Sequence, residues 1–521
     1  MTRGLAAQMA GAALLATLPS AARAESLADA IAKAYRTNPT LAANRYDVRQ
    51  ADEGVAQAQA ELRPTVDLQA NLDFDHSVLG RPSRSPFNPT VSNSNSERTV
   101  LTVNQPLYTG GRATADRMGA MATVSAQRAA LRGAEGDLLL AVITDYVDVR
   151  RYAAELEVWR GSVLELERIE KEIEARQQAG ELTLTDVAQA RNQLGQAREQ
   201  AVATEEALES ARADYEAVVG HAPGTLDPEP SLPRLPGSAD QAFIDAAQES
   251  PELSRSLYIE RASRADIASA RAAGAGTVSL RGTGTLNGEA FPYRYANQDR
   301  ALTGSVVFSI PLSAGGRIAS QVRQAEDRNA QDRVRIEAAR RQLMRDVTNA
   351  WNAMVTADRA ATLIGNRRAT AMIQLEGMLA EYRVGLRTTF DVLYAQQSLR
   401  DSQVSLLSAE RERYVSAATL LRRTGGLEVA RLTSGVPRYD PAPHLARVEK
   451  IGAIPWDGAV AAVDGVLPVR DRTPAIRQPD VSTAPSILAA SPPPPDRPLA
   501  RAAPTTPVLG TVGSPAPGTR P

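Results

Sequence analysis

Eight residues, Gln105-Pro106-Leu107-Tyr108-Thr109-Gly110-Gly111-Arg112, return 205 positions later as Ile310-Pro311-Leu312-Ser313-Ala314-Gly315-Gly316-Arg317. At the same offset Tyr146 aligns with Trp351, Gly180 with Gly385, Asp186-Val187 with Asp391-Val392, and Gly220 with Gly425. Upstream, Asn38-Pro39 matches Ser250-Pro251 and Thr65-Val66 matches Thr277-Val278 at an offset of 212. The chain is therefore a tandem duplication with a unit of about 210 residues, and its fold must use one structural unit twice.

Each unit has two kinds of segment. A proline-free stretch runs from Leu107 to Ala222 and another from Leu312 to Val436, both dense in the strong helix formers Ala, Leu, Glu, Gln and Arg. Along Leu139, Ile143, Tyr146, Val149, Ala153, Leu156, Trp159, Val163, Leu166, Ile169 and Ile173 the apolar positions advance in threes and fours, close to the spacing of a left-handed coiled coil. Each stretch is broken once, at Ala179-Gly180-Glu181 and Val384-Gly385-Leu386, where glycine can end a helix. The expected long helices are 113–178 and 186–219 in the first unit, and 317–383 and 388–424 in the second. The longer ones reach about 100 Å at about 1.5 Å per residue. The shorter return helices need an extension, which a helix over 40–62 would supply by stacking end to end.

The remaining segments alternate with period two. From Thr65 to Asp75 the residues Val66, Leu68, Ala70, Leu72 and Phe74 interleave with polar ones, and Leu302 to Leu312 repeats the pattern. Strands are expected at about 65–75, 99–108, 277–286 and 301–312, with polar loops over 77–97 and 287–300. Such lengths suit tilted strands crossing a bilayer. Four strands cannot close a barrel, since single-chain bilayer barrels start at about eight, so membrane-spanning strands here would require several chains to share one barrel.

Composition removes other classes. With 59 Lys+Arg against 60 Asp+Glu, no basic excess points to nucleic acid. With no cysteine and three scattered histidines, His76, His221 and His444, neither a metal site nor a nucleophile-base constellation is expected, and no cofactor is. Gly110-Gly111 and Gly315-Gly316 are turn glycines, not a dinucleotide fingerprint. Residues 1–24 have a charged start, an apolar middle and Ala22-Arg23-Ala24, the pattern of a cleaved secretory signal peptide without a lipidated cysteine. No later stretch reads as a transmembrane helix. Units of 25–222 and 238–427, joined by a linker at 223–237, precede a tail at 428–521. Eighteen of the 33 prolines fall within Pro437 to Pro521, and the tail is expected to be disordered and periplasmic.

The tandem halves, Asn38-Pro39, the Pro-Leu-x-x-Gly-Gly-Arg at each strand-to-helix junction, and Val384-Gly385-Leu386-Arg387-Thr388-Thr389-Phe390-Asp391-Val392-Leu393 together resemble the TolC family of outer-membrane efflux and type I secretion channels. The likeness runs roughly from Ser26 to Leu427. It implies an α+β membrane protein of two tandem repeats, whose homotrimer forms a 12-stranded β-barrel in the outer membrane of a Gram-negative bacterium. An α-helical coiled-coil tunnel continues it into the periplasm. The implied function is the exit duct of a tripartite export system, with no enzymatic activity. The implied partners are a periplasmic adaptor (membrane fusion protein), an ABC or RND-type inner-membrane transporter and outer-membrane lipid.

In that frame the functional residues set the periplasmic aperture. Asp186 and Asp391 each lie six residues beyond a turn glycine, so three chains would bring six carboxylates towards one axis. The ordinary role of such an Asp, in the first turn of a helix, can coexist with that. Relatives often carry a second Asp where this chain has Tyr394, so the ring is expected to be partly aromatic. Tyr382 and Arg387 match family positions that hold the mouth closed by tying neighbouring helices, while Gln177 and Leu182 at the corresponding places of the first unit make the latch asymmetric. Gly180, Val384, Gly385 and Leu386 form the expected adaptor-docking turns. Pro106, Gly110, Gly111, Pro311, Gly315 and Gly316 mark the strand-to-helix junctions. A periplasmic coiled-coil adaptor or structural protein without a pore is the alternative, but it leaves the alternating strands without a role. Type I secretion and multidrug efflux both remain open.

Overall fold

The structure, a computed structural model, describes residues 24–78, 91–433 and 435–465. Apart from Ala24, the expected signal peptide lies outside the described residues.

The duplication is visible element by element. The first repeat contains α1 (Leu27–Thr37), α2 (Pro39–Ala60), β1 (Thr65–Val78), β2 (Val91–Tyr108), α3 (Arg112–Gln178) and α4 (Leu184–Val219). The second contains α5 (Ala239–Glu249), α6 (Pro251–Ala272), β3 (Thr277–Gly288), β4 (Asp299–Ser309), α7 (Arg317–Arg383) and α8 (Thr389–Thr424). Helix lengths match pair by pair, at 11, 22, 67 and 36 residues. The Asn38-Pro39 and Ser250-Pro251 pairs now have a cause. Asn38 and Ser250 are N-caps whose side chains accept from the amides of Leu41 and Leu253, and the proline follows at the first helical position, where its missing N–H costs nothing.

The return helices end where the 22-residue helices begin. Asn38 Nδ2 donates to Val218 O at 3.2 Å and Thr37 Oγ1 to Val219 O at 3.4 Å, so the α1–α2 corner satisfies the last carbonyls of α4. In the second repeat a Cβ on Gly425 would lie 2.6 Å from Glu249 O, which puts the end of α8 against the start of α6. α3 lies among α2, α4, α6 and α8, while α7 packs on α6 and α8. Along the long hairpins, α4, α3, α8 and α7 therefore form a row with α4 and α7 outermost.

The four strands form one antiparallel sheet in the order β1-β2-β3-β4, so the central pairing, β2 with β3, joins the two repeats. Its register sorts the side chains. Val66 opposes Val103, Leu68 opposes Leu101, and Leu280 and Val278 oppose Val306 and Phe308, which collects most of the apolar residues on one face and leaves Val100 and Val307 on the other. Asp67, Asn71, Asp73, Thr102, Arg281, Thr283 and Ser305 share the other. Pro106 lies past the end of the β1–β2 ladder, beside a bulge against β3, where a missing N–H breaks no bond to β1.

Two expectations change. β1 runs on to Val78 and β2 begins at Val91, so the ends of the expected 77–97 loop are strand; residues 79–90 lie outside the described residues. Likewise β3 and β4 take up the ends of the 287–300 loop, and β4 stops at Ser309 rather than reaching Leu312. The tail is not wholly disordered, because α9 (Val429–Leu432), α10 (Ala442–Val448) and α11 (Asp457–Gly465) fold back on the first repeat. Its proline content was misleading. Pro441 sits at the N-cap of α10 instead of breaking it, and Val448 and Val460 are buried. Residues 466–521 lie outside the described residues.

The attachment of the tail is polar and specific. Arg63 pairs with Asp457 at 3.2 Å, His444 Nδ1 lies 2.9 Å from the fully buried Asp52 carboxylate, and Trp456 Nε1 donates to Gln105 at 3.4 Å. Asp464, also fully buried, accepts from Thr109 N at 2.7 Å, Thr109 Oγ1 at 2.8 Å, Gly111 N at 3.3 Å and Thr114 Oγ1 at 3.0 Å. It thus caps the start of α3 with a carboxylate from the distant end of the fold, where α3's own N-cap, Gly111, has no side chain to do so.

Candidate functional site

The tips of the two long hairpins are built alike. Gly180 and Gly385 take φ of 82° and 80°. The following amides close back onto the helix, Glu181 N onto Arg176 O and Leu386 N onto Glu381 O, both at 3.0 Å. A Cβ at either glycine would meet open space, so the left-handed backbone alone requires glycine there. After each turn a threonine caps the return helix. Thr183 accepts from Asp186 N and Thr388 from Asp391 N, and each aspartate accepts in return from the threonine amide and hydroxyl at 2.8 to 3.0 Å. These hydrogen bonds from the threonine backbone and hydroxyl hold both carboxyls below the ordinary aspartate range. Both aspartates are thus capping residues and remain anionic near the hairpin tips.

Within the chain the two latch residues take different kinds of partner. The hydroxyl of Tyr382 accepts from Arg176 Nη1 at 2.7 Å, and the guanidinium lies 5.3 Å from the ring centroid, a contact that joins the end of α3 to the end of α7. Arg387 instead donates to Glu381 at 2.6 Å across its own turn, and so does not tie neighbouring hairpins within the chain. Arg176 also pairs with Glu181 at 3.0 Å across the first turn. Each turn carries an ion pair of opposite sense: Arg176 and Glu381 occupy equivalent positions 205 apart, and their partners Glu181 and Arg387 are offset by one position. Arg176, Glu381 and Phe390 were missed from sequence, although that reversal at the repeat offset was there to be read. Tyr394 stacks on Phe390 at 6.4 Å, and both are exposed. With Val384 and Leu386 they make the second tip apolar, whereas the first shows Glu181 and Leu184.

At the junctions the two glycine pairs again share a backbone and differ in surroundings. Gly110, Gly111, Gly315 and Gly316 all have positive φ, between 56° and 83°. A Cβ on Gly110 would lie 2.6 Å from the Ala275 Cβ, whereas one on Gly315 or Gly316 meets nothing. Pro106 lies beside its bulge in β2, and Pro311 follows the end of β4.

At the other end of the molecule the sheet is bare on both faces. Leu68 is 71% exposed, Phe74 68%, Leu302 90% and Phe308 66%. Contiguous apolar surface on this scale needs a cover, and among the described residues β1 and β4 leave their outer backbone edges without a partner strand. Among the described residues no helix is long and apolar enough to cross a membrane.

This arrangement, two hairpins of equal length below a four-stranded sheet, can be set beside known proteins. The profile described as "Outer membrane efflux protein" matches residues 30–221 and 244–426. The chain belongs to the outer membrane efflux protein family. It is 30% identical over 434 residues to the outer membrane efflux protein BepC of Brucella suis, covering 82% of this chain and 91% of that protein. It is 26% identical to the outer membrane protein TolC of Vibrio cholerae, covering 80% and 94%. Among solved structures, the CmeC outer membrane channel of Campylobacter jejuni superposes with a TM-score of 0.68 at 15% identity, over 81% of this chain and 89% of that one, a likeness of fold. The chain is accordingly an outer-membrane exit duct protein with the TolC-like fold. Its relatives are channel proteins, not enzymes.

Proposed function

We propose that three copies of this chain close a single 12-stranded barrel in the outer membrane, with the apolar face of the sheet towards lipid and the polar face lining the pore. The hairpins α3–α4 and α7–α8 continue the pore as a periplasmic tunnel. The observation that carries this reading is the four-stranded sheet itself, apolar on one face, uncovered on both and open at both edges. Backbone groups at an open edge in lipid cost several kcal/mol each, and edge-to-edge pairing of β1 with β4 of the next copy satisfies them. An exported precursor with a cleaved, non-lipidated signal peptide fits this location.

At the periplasmic end, Asp186 and Asp391 form a ring of carboxylates that favours cations over anions. Tyr382 with Arg176 holds the two tips of one copy together, Arg387 exchanges Glu381 for a tip of the neighbouring copy in the closed mouth, and Tyr394 contributes an aromatic rim. Gly180, Val384, Gly385 and Leu386 present the surface on which a periplasmic adaptor docks, coupling the duct to an ABC or RND-type transporter in the inner membrane that supplies proteins or small toxic compounds. Two measurements test this reading. The chain should fractionate with the outer membrane as an oligomer that dissociates only on heating in SDS; a soluble monomer refutes it. Asp391→Ala combined with Arg387→Ala should raise single-channel conductance, and unchanged conductance would remove these residues from the gate.

A further inference from the structure

The outer helices of the row, α4 and α7, carry opposite charge. α4 has three Arg against seven Asp and Glu, and α7 has twelve Arg against eight. On α4, Glu199, Val202 and Glu206 are exposed at spacings of three and four, hence on one stripe. On α7, Arg359, Leu363 and Arg367 are exposed at spacings of four and four, also on one stripe. Among the described residues none of these four charged groups enters an ion pair within the chain, and Arg367 has only a hydrogen bond to Ser405 at 3.0 Å. Val202 and Leu363, at the centre of each stripe, are 67% and 69% exposed.

The two stripes also lie at the same height. Glu199, Val202 and Glu206 are 19, 22 and 26 residues past Gly180, and Arg367, Leu363 and Arg359 are 18, 22 and 26 residues before Gly385. At about 1.5 Å per residue these are levels of about 28, 33 and 39 Å above the turns. The turns themselves are level, since Arg176 and Tyr382, four and three residues short of them, are hydrogen-bonded, as are Gln193 and Gln397, 13 and 12 residues beyond. Rotation about an axis parallel to the hairpins preserves height, so a neighbouring copy brings its α7 stripe opposite this α4 stripe with Arg367 facing Glu199, Leu363 facing Val202 and Arg359 facing Glu206.

We infer that this stripe is the contact between copies of the chain: Glu199, Val202 and Glu206 on α4 of one copy receive Arg367, Leu363 and Arg359 on α7 of the next. The inference rests on the proposed oligomeric duct and adds the register and charge code of its seam. Because α4 and α7 lie at opposite ends of the row, the contact forms between copies, not within one. Each exposed ion pair contributes modestly and is screened by salt. Their value lies in register and in rejecting the wrong neighbour, which like charges would repel.

The absence of cysteine makes the test direct. In full-length protein purified in detergent, Val202→Cys with Leu363→Cys should give disulfide-linked dimers and trimers on oxidation, whereas either single variant should give none. Reversing one stripe, Glu199→Arg with Glu206→Arg or Arg359→Glu with Arg367→Glu, should lower the oligomer fraction at limiting protein concentration by about tenfold. Combining both reversals should recover most of it. An oligomeric parent whose double-cysteine variant stays uncrosslinked, or whose combined reversal is no better than either half, overturns this contact and leaves the duct standing. A parent that is monomeric throughout overturns both.

Discussion

α3 and α7 are equivalent helices of 67 residues, yet α3 buries 20 of them and α7 only eight. The buried positions of α3 include Leu139, Ile143, Tyr146, Trp159 and Ile173, whereas half of those of α7 are alanines and two more are Asn329 and Asp332. Duplication supplied the same backbone twice, and position in the row then determined what each copy became. α3 lies among four helices and is a core element, while α7, at the edge of the row, keeps an exposed, charged face. The tail enlarges the difference. Asp464 caps α3 through Thr109 and Thr114, and the equivalent positions before and within α7 are Ala314 and Ala319, which offer no hydroxyl.

The largest expected break in this comparison is at the junction glycines. Gly110→Ala meets both a positive φ and the Ala275 Cβ, and should cost about 3 kcal/mol, whereas Gly315→Ala meets only the φ and should cost about 1 kcal/mol. Thermal unfolding of the two variants should show that order. Asp464→Ala should destabilise by about 2 kcal/mol, because it leaves buried donors at the start of α3 unmet. Removing residues 433–521 should cost at least as much, and if it leaves the melting temperature unchanged, the tail has no structural part in the fold.

A smaller effect concerns the core side of α3. Burial, then repulsion from Asp214 and Asp148, pushes the Asp145 carboxyl up to about 6. A carboxyl raised in the folded state favours folding in its protonated form, so this contribution is lost as pH rises from about 4 through about 6. Asp145→Asn should therefore stabilise at pH 7.5 by about 1 kcal/mol after allowance for solvent screening, and this gain should vanish near pH 4. Smallest is a matched pair. Thr183→Ala and Thr388→Ala each remove half of the same capping box and should cost about 1 kcal/mol alike. Their partner carboxyls are depressed in the folded state, so these caps hold above the ordinary aspartate range and weaken as pH falls through it. Unequal losses would show that the two tips are not equivalent locally.

Local chemistry was legible in the sequence. The alternation of Val66 to Phe74 and the glycines at 180 and 385 each impose their structure over a few residues, and the duplication repeats it in the second unit. Contacts between distant residues were not. Nothing in the spacing of Asp464 points to Thr109, because that contact closes a loop of hundreds of residues. The proline content of the tail masked helices whose prolines sit at a cap, in the first helical turn or between elements. At the tips, the sequence did not show which side chain would join the two hairpins of one chain; within the chain Arg387 pairs with Glu381 across its own turn. The tie fell to Arg176, whose role is visible only when the two repeats are read against each other.

Several copies of this chain are proposed to enclose one pore whose periplasmic end is narrowed by side chains at the tips. Single-channel recording in planar bilayers of the purified parent beside Arg176→Ala with Arg387→Ala addresses this most directly. A low, cation-favouring conductance in the parent that rises several-fold in the variant is expected. A parent oligomer that inserts without conducting, or a variant that conducts no better than its parent, would contradict the account.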